Sequence, residues 1–300
     1  MSDSESRSFL DTGLDWSTES LSEDEKARLL AWYGDAHVRD GTHLSRMPTF
    51  LIEHDPVGFK RYRRYILEID REQEGVALPQ AAHLLMFLYT YTVFGFENGI
   101  LYAAINARQL GASRGEVVDT LRLAALAAGP VGLDAAGGST DSYLREWPLD
   151  SGEPGLDWPG GWRPRPEAFR SGIDLATAEL EPGELALIED WYRGAYGETP
   201  EYVRVLARLH PSAYKAQRAR FETALGETLP VEMAPLCMLH LAAMRLWTKP
   251  MLRAAQLARS LGVRRQHVVA TLFWAGMYAD EMVMETAVDT LGPLLDGWDD

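Results

Sequence analysis

Apolar residues in this chain recur mostly at three- and four-residue steps, which is the period of an amphipathic α-helix. One such stripe follows Pro56 and consists of Phe59, Tyr62, Ile66 and Ile69. No segment alternates apolar and polar positions over the length of a strand between turn residues. The pattern therefore predicts an all-α fold.

The longest apolar stretch, residues 79–126, is predicted to form the central helices. Gly95 is expected to break or bend the first of them, and Gly111 has the position of a helix C-cap. Ser113 and Glu116 have the spacing of a capping box, which predicts the start of another helix. Several polar groups lie inside this apolar stretch, and such groups are usually either paired or functional.

The helical pattern of the first half returns in the second. Pro56, Lys60 and Arg63 recur at one constant offset as Pro211, Lys215 and Arg218. A second, slightly shorter offset relates Leu78, Pro79, Ala107 and Gly111 to Leu229, Pro230, Ala258 and Gly262. Two nearly equal offsets over this length indicate an internal duplication.

Composition predicts four regions. Residues 1–21 are rich in Ser, Asp and Glu and are expected to form an acidic, flexible leader. Residues 22–136 are the first helical domain. Residues 137–170 are dense in Gly, Pro and Trp and are interpreted as a linker. Residues 171–300 are the second helical domain.

Charge and cysteine content narrow the classes of function. The net charge of −15 argues against binding to nucleic acid or to an anionic membrane surface. We find neither a transmembrane run nor a signal peptide, so we expect a cytoplasmic protein. Cys237 is the single cysteine, which rules out a disulfide within one chain, and we interpret it as an inert core thiol.

A family resemblance rests on the spacing of Leu78-Pro79, Ala107, Gly111, Ser113 and Glu116 around the apolar helices. This spacing resembles the carboxymuconolactone decarboxylase and alkylhydroperoxidase-D-like family, once in each half. The resemblance implies two tandem helical domains that pack face to face with pockets between helices. It also implies a homodimer or a higher homo-oligomer.

The peroxidase branch of this family carries two cysteines and a histidine in one helix. The matching positions of the first half are Phe96, Gly99 and Ala103, and those of the second half are Trp247, Pro250 and Ala254. None of these is Cys or His. Peroxide reduction through a thiolate needs such groups, so we do not expect thiol peroxidase activity.

The decarboxylase branch matches only in part. Glu97 coincides with the first glutamate of that branch, whereas its second glutamate falls on Gly99 and its histidine on Ala103. The resemblance therefore does not imply a muconolactone substrate.

Three residues of the central stretch are candidates for catalysis. Glu97 follows an aromatic segment, so it is either a general acid/base in an apolar pocket or a carboxylate that stabilises a helix N-terminus. His83 and Tyr91 share one helix face with Phe87 and could line the same groove. The alternative for His83 is a hydrogen-bonded structural residue.

Six further residues are candidates for substrate binding: Phe94, Asn98, Tyr102, Trp247, Tyr278 and Glu281. The aromatic members could line a pocket for a flat, apolar molecule or could belong to the core. The acidic group around Glu281 could instead form ion pairs with basic residues of the preceding helix.

A metal site is a further possibility, because His37, Asp40 and His43 lie close together in the sequence. Gly41 argues against one regular helix that carries all three ligands. The leading hypothesis is nevertheless a cofactor-independent lyase or isomerase, without a metal, that acts on a small, largely apolar organic acid or ketone. The alternatives are a non-catalytic binding or assembly protein and a metal enzyme that uses His37 and His43.

Overall fold

The computed structural model describes residues 10–39, 42–43, 46–73, 76, 78–148 and 155–298. The helices of the first half are α1 (Glu23–His37), α2 (Met47–His54), α3 (Pro56–Gln73), α4 (Ala82–Phe94), α5 (Glu97–Gln109) and α6 (Arg114–Glu146). Those of the second half are α7 (Pro182–Tyr196), α8 (Glu201–Leu209), α9 (Pro211–Glu222), α10 (Met233–Met244), α11 (Thr248–Ser260) and α12 (Arg265–Asp296). A 3-10 helix, Pro166–Phe169, lies between the two sets.

The prediction of an all-α fold is confirmed. Within the described residues, the β structure is one antiparallel pair of two-residue strands, β1 (Val38–Arg39) and β2 (Thr42–His43). None of the helices in the described part of the chain is both long and apolar enough to cross a membrane.

The twelve helices form two units of six, α1–α6 and α7–α12, whose backbones deviate at equivalent places. Gly95 ends α4 with a φ of 66°, and its counterpart Leu246 follows α10 with a φ of 55°. Gly129 bends α6 with a φ of 62°, and its counterpart Asp280 bends α12 with a φ of 45°. A positive φ is uncommon for residues other than glycine, so its recurrence at Leu246 and Asp280 supports the duplication.

Each unit also contains a buried ion pair that joins its first and third helices. Lys60 lies 3.1 Å from Glu25 in the first unit, and Lys215 lies 2.8 Å from Glu184 in the second. Burial alone would raise the pKa of Glu25. Backbone N–H groups and the Lys60 ammonium donate hydrogen bonds to its carboxylate, and together they hold the pKa at about 2.

The flexible-leader interpretation does not hold for residues 10–21, and residues 1–9 of the predicted leader lie outside the described residues. Leu10 and Leu14 are buried, and the N–H of Asp15 donates to Glu25 at 2.7 Å. The second unit contains the same arrangement. Phe169 and Ile173 are buried, and the N–H of Asp174 donates to Glu184. Apolar side chains at these few positions anchor a segment that is otherwise polar.

The predicted linker limits also need correction. Residues 137–146 belong to α6, which continues past the bend at Gly129. The Trp158 indole N–H donates to Glu116 at 2.6 Å, so this tryptophan is fixed to α6 of the first unit. The tryptophans of this region therefore mark packing positions within the fold rather than a free connection.

The two units share one hydrophobic core. Helix α4 packs on α10, where the Thr90 hydroxyl lies 2.8 Å from Nδ1 of His240. Helix α3 of the first unit packs on α12 of the second, and Arg122 of α6 donates to the Thr223 carbonyl after α9. The face-to-face arrangement of two domains stays a prediction.

Candidate functional site

A cavity of about 290 Å³ lies where α4, α5 and the outer helices of the first unit meet α12 of the second. We call it the first pocket. Most of its walls are apolar or aromatic. Its lining residues are Leu10, Trp32, Tyr33, Met47, Pro48, Tyr62, Arg63, Ile66, His83, Phe87, Tyr91, Phe96, Asn98, Gly99, Tyr102, Trp274, Met277 and Tyr278.

A second pocket of about 280 Å³ occupies the corresponding place in the second unit. Its lining residues are Tyr89, Ala127, Tyr196, Tyr202, Met238, Leu241, Ala242, Trp247, Pro250, Arg253 and Ala254. Trp247, Pro250 and Arg253 are the counterparts of Phe96, Gly99 and Tyr102. The duplication thus produced two related cavities with different walls.

His83 forms part of the inner wall of the first pocket. Its ring stacks on Trp274 with centroids 4.1 Å apart, and only 6% of the residue is exposed. Burial lowers the pKa of His83 to about 3, although a hydrogen bond to the Gln80 backbone partly opposes this effect. His83 is therefore a neutral imidazole at pH 7, able to donate through one ring nitrogen and accept through the other.

Two tyrosine hydroxyl groups meet in the wall of the first pocket. Tyr91 of α4 and Tyr278 of α12 are hydrogen-bonded through their hydroxyls. Phe87, one turn before Tyr91, packs against both rings. Gly99 allows this packing, because a Cβ at that position would lie 2.8 Å from the Tyr91 ring.

The outer wall carries a buried guanidinium group, that of Arg63. Nη2 of Arg63 donates to the Leu10 carbonyl at 2.6 Å, and Nη1 donates to the Tyr33 hydroxyl at 3.2 Å. The guanidinium also lies 4.8 Å from the centre of the Trp32 ring. Arg63 is the one charged side chain among the described residues that line the first pocket. Nearby, burial raises the pKa of Tyr62 to about 12, so its hydroxyl stays protonated at pH 7.

The structure brings together five residues that the sequence indicated: His83, Tyr91, Asn98, Tyr102 and Tyr278. His83 and Tyr91 lie deep in the wall, and Asn98 is exposed at the rim. Burial raises the pKa of Tyr102, so its hydroxyl is a hydrogen-bond donor at neutral pH.

Glu97 lies elsewhere. It is exposed in the first turn of α5 and lines neither of these pockets. The premise of a carboxyl group sheltered in an apolar pocket therefore fails, and Glu97 occupies the position of the alternative, a carboxylate at a helix N-terminus. Glu281 is likewise exposed and lines neither pocket.

Two of the predicted aromatic residues lie apart from the first pocket. Phe94 packs under the guanidinium of Arg245, which lies 4.1 Å from the ring centre. Trp247 lines the second pocket and is 48% exposed.

Sequence reasoning missed Arg63 and Trp274 as pocket residues. Arg63 appeared only as a marker of the duplication, and Trp274 was not singled out. The available signal for Arg63 was a difference between the repeats, because Glu222 follows Arg218 by one turn whereas Leu67 follows Arg63. Trp274 gave no comparable signal, since its counterpart Leu123 is simply another apolar residue.

The metal hypothesis concerns residues that the structure does not describe. The side chains of His37 and His43, and Asp40 as a whole, lie outside the described residues. Across the part of the chain that is described, no three His, Cys, Asp or Glu side chains gather in a way that could hold a metal ion. The proposal of a site at His37 and His43 stays a prediction.

Cys237 is fully buried in α10, and burial raises the pKa of its thiol, as expected for a core cysteine.

Comparisons of this chain with protein-family models, with curated proteins and with solved structures gave no match. The resemblance to the carboxymuconolactone decarboxylase and alkylhydroperoxidase-D-like family thus rests on the sequence motifs alone.

Proposed function

We propose that this protein binds a small, largely apolar organic acid or ketone in the first pocket. The observation that carries the proposal is the composition of the walls: aromatic rings surround a cavity that also presents His83, Tyr91 and Arg63. Ligand sites are typically apolar with a few polar groups that fix orientation. The volume of about 290 Å³ suits a molecule of one or two rings.

Binding is tested with five probes of similar size: benzoate, phenylacetate, benzamide, phenylacetamide and acetophenone. We expect at least one of them to bind, measured by calorimetry, and to raise the melting temperature as the ligand concentration exceeds Kd. A Met277→Trp substitution places a larger side chain in the first pocket and should abolish that binding.

Met238→Trp is the matched control, since Met238 lines the second pocket and is the counterpart of Phe87. This variant should bind the probe as the wild type does. The proposal fails if none of the five probes binds at millimolar concentration. It also fails if Met238→Trp abolishes binding whereas Met277→Trp does not.

A second candidate function is proton transfer on the bound molecule, as in a cofactor-independent isomerase or lyase. The observation that favours it is the meeting of the Tyr91 and Tyr278 hydroxyls in a pocket that His83 also lines. Tyrosine hydroxyls can donate to a carbonyl oxygen and stabilise the negative charge that develops there when a proton leaves the adjacent carbon. His83 would be the base that takes this proton and returns it, although its pKa of about 3 makes it a weak base.

Exchange of the methyl protons of acetophenone in D2O, followed by NMR, tests this chemistry. We expect exchange faster than in buffer alone, slowed about a hundredfold or more in Tyr91→Phe. Unchanged exchange in Tyr91→Phe would remove the hydroxyl from the mechanism. If bound acetophenone exchanges its methyl protons no faster than in buffer alone, the proton-transfer function is excluded and only the binding function remains.

A further inference from the structure

Each unit contains a buried arginine at the equivalent position, Arg63 or Arg218, and the two differ in their charged partner. In the second unit, Nε of Arg218 donates to Glu222 at 2.7 Å, and both residues are about 99% buried. The Ser171 hydroxyl also donates to this carboxylate. Glu222 thus neutralises the positive charge of Arg218 within the fold.

Arg63 is the counterpart of Arg218 and makes the other contacts in the same way. It donates to the Leu10 carbonyl as Arg218 donates to the Phe169 carbonyl, and it packs on Trp32 as Arg218 packs on Trp191. The position of Glu222, however, is Leu67 in the first unit.

Arg63 consequently lacks a counter-charge within the described part of the chain. It is 97% buried, its Nε has no hydrogen-bond partner, and no described carboxylate lies within ion-pair distance. A buried charge without a partner is costly, and in Arg218 the same cost is offset by a carboxylate one helical turn away. Arg63 differs in a further respect, because it lines the first pocket.

We infer that the first pocket is specific for a carboxylate, whose negative charge takes the place that Glu222 has beside Arg218. This inference rests on the proposed binding function and narrows it from an acid or ketone to an acid. The guanidinium would donate from Nε and from a free N–H of an Nη group, the geometry in which arginine best binds a carboxylate. The aromatic walls formed by Phe87, Tyr91 and Trp274 would then hold the apolar part of the ligand.

Two matched probes test the inference: phenylacetate and phenylacetamide, which differ in charge but hardly in shape. Calorimetry on the wild-type protein should show phenylacetate binding about tenfold tighter or better, because a hydrogen bond to a charged partner is stronger than one to a neutral amide. Equal affinities would overturn the carboxylate inference and leave the proposed binding function in place. Absence of binding by both probes, together with the other three, would overturn the binding function as well.

Leu67→Glu provides the second test, because it gives Arg63 the partner that Arg218 has. The new carboxylate should compete with the ligand, so phenylacetate affinity should fall about tenfold or more while phenylacetamide affinity is unchanged. Leu67→Gln is the control of equal size without charge and should keep the preference for phenylacetate. A preference that survives Leu67→Glu would contradict the inference.

Arg63→Met removes the charge with a similar volume and should abolish the preference as well. Arg63 also fixes Leu10 and Tyr33, so the folded state of this variant has to be verified by circular dichroism. Leu67→Glu retains these contacts, and the inference is therefore testable even if Arg63→Met does not fold.

Discussion

The outer layers of the two units, α1–α3 and α7–α9, share a set of buried contacts. In both, a lysine of the third helix pairs with a glutamate of the first, and an arginine one turn further packs on a Trp-Tyr pair. The same two arginines also donate to the carbonyls of Leu10 and Phe169, and so hold the segments that precede α1 and α7 against the helices. Because these contacts recur irrespective of what lines each pocket, we expect them to stabilise the fold of each unit.

The two units differ most around the first pocket. Among the residues that the structure describes, Arg63 lacks the carboxylate partner that Glu222 provides to Arg218. The polar residues of the inner wall have small apolar counterparts: His83, Tyr91 and Tyr278 correspond to Ala234, Ala242 and Ala127. The comparison teaches that polar groups paired in the same way in both units serve the fold. Polar groups that line a pocket and lack a counterpart or a partner in the other unit's pattern indicate the site.

The largest expected effect comes from removal of a shared contact. Lys60→Ala leaves Glu25 buried without a counter-charge, and Lys215→Ala does the same to Glu184. Each variant should lower the free energy of unfolding by about 3–5 kcal/mol, measured by urea denaturation. The two losses should be of similar size, since the surrounding hydrogen bonds match. Arg71→Ala, which breaks an exposed pair with Glu68, should cost less than about 1 kcal/mol.

A second prediction concerns the equivalent bends in α6 and α12. One substitution in each bend should change the free energy of unfolding in opposite directions. Gly129 has φ 62° and ψ −172°, a conformation that glycine alone adopts readily. Gly129→Ala should therefore destabilise the protein by about 1–3 kcal/mol. Asp280 has a positive φ at the equivalent bend, so Asp280→Gly should stabilise by about 1 kcal/mol. Equal signs for the two variants in urea denaturation would contradict the structural equivalence of the bends.

Much of the fold could be predicted from the sequence, because helix-forming signals are local. The three- and four-residue periodicity gave the all-α class, and the Ser113–Glu116 capping box starts α6 as expected. The limits of the units could not be read in this way. Residues 10–22 are mostly polar, and their attachment depends on Leu10 and Leu14 reaching cores formed by distant helices.

Residues of the site could be predicted one helix at a time, whereas the way these helices come together could not. His83 and Tyr91 follow from spacing on α4, and the structure does place them in one wall. Their association with Tyr278 and Arg63 depends on how α3 and α12 pack, which no local pattern specifies. Glu97 was misjudged as sheltered, because aromatic neighbours in sequence need not be neighbours in space.

A third prediction concerns His83 and His240, two buried histidines that align with a residue other than histidine in the other unit. His83 corresponds to Ala234 and His240 to Tyr89, and burial lowers the pKa of both histidines to about 3. The unfolded chain, with an ordinary pKa near 6.5, binds these protons first as the pH falls. Each histidine therefore contributes stability above pH 6.5 that is lost at about 1.4 kcal/mol per pH unit below it.

In urea denaturation between pH 6.5 and 5, His83→Phe should reduce the pH dependence of the unfolding free energy by up to about 1.4 kcal/mol per pH unit, the contribution of His83. An unchanged slope in this variant would show that His83 is accessible to protons in the folded protein. The window lies above the range in which the paired carboxylate of Glu25 loses its charge, so the two effects are separable.

The smallest effect is expected for Glu97→Gln, because Glu97 is found in one unit only but does not line the first pocket. Glu97 also lacks a carboxylate counterpart, since Thr248 takes its place, yet it is exposed at the start of α5 and lines neither pocket. Glu97→Gln should therefore leave phenylacetate affinity unchanged and cost at most about 1 kcal/mol of stability through the helix dipole. Tyr91→Phe, measured in parallel, should weaken binding. A large loss of affinity in Glu97→Gln would mean that α5 moves toward the ligand on binding, and the distinction drawn from the repeats would then apply to the ligand-free state alone.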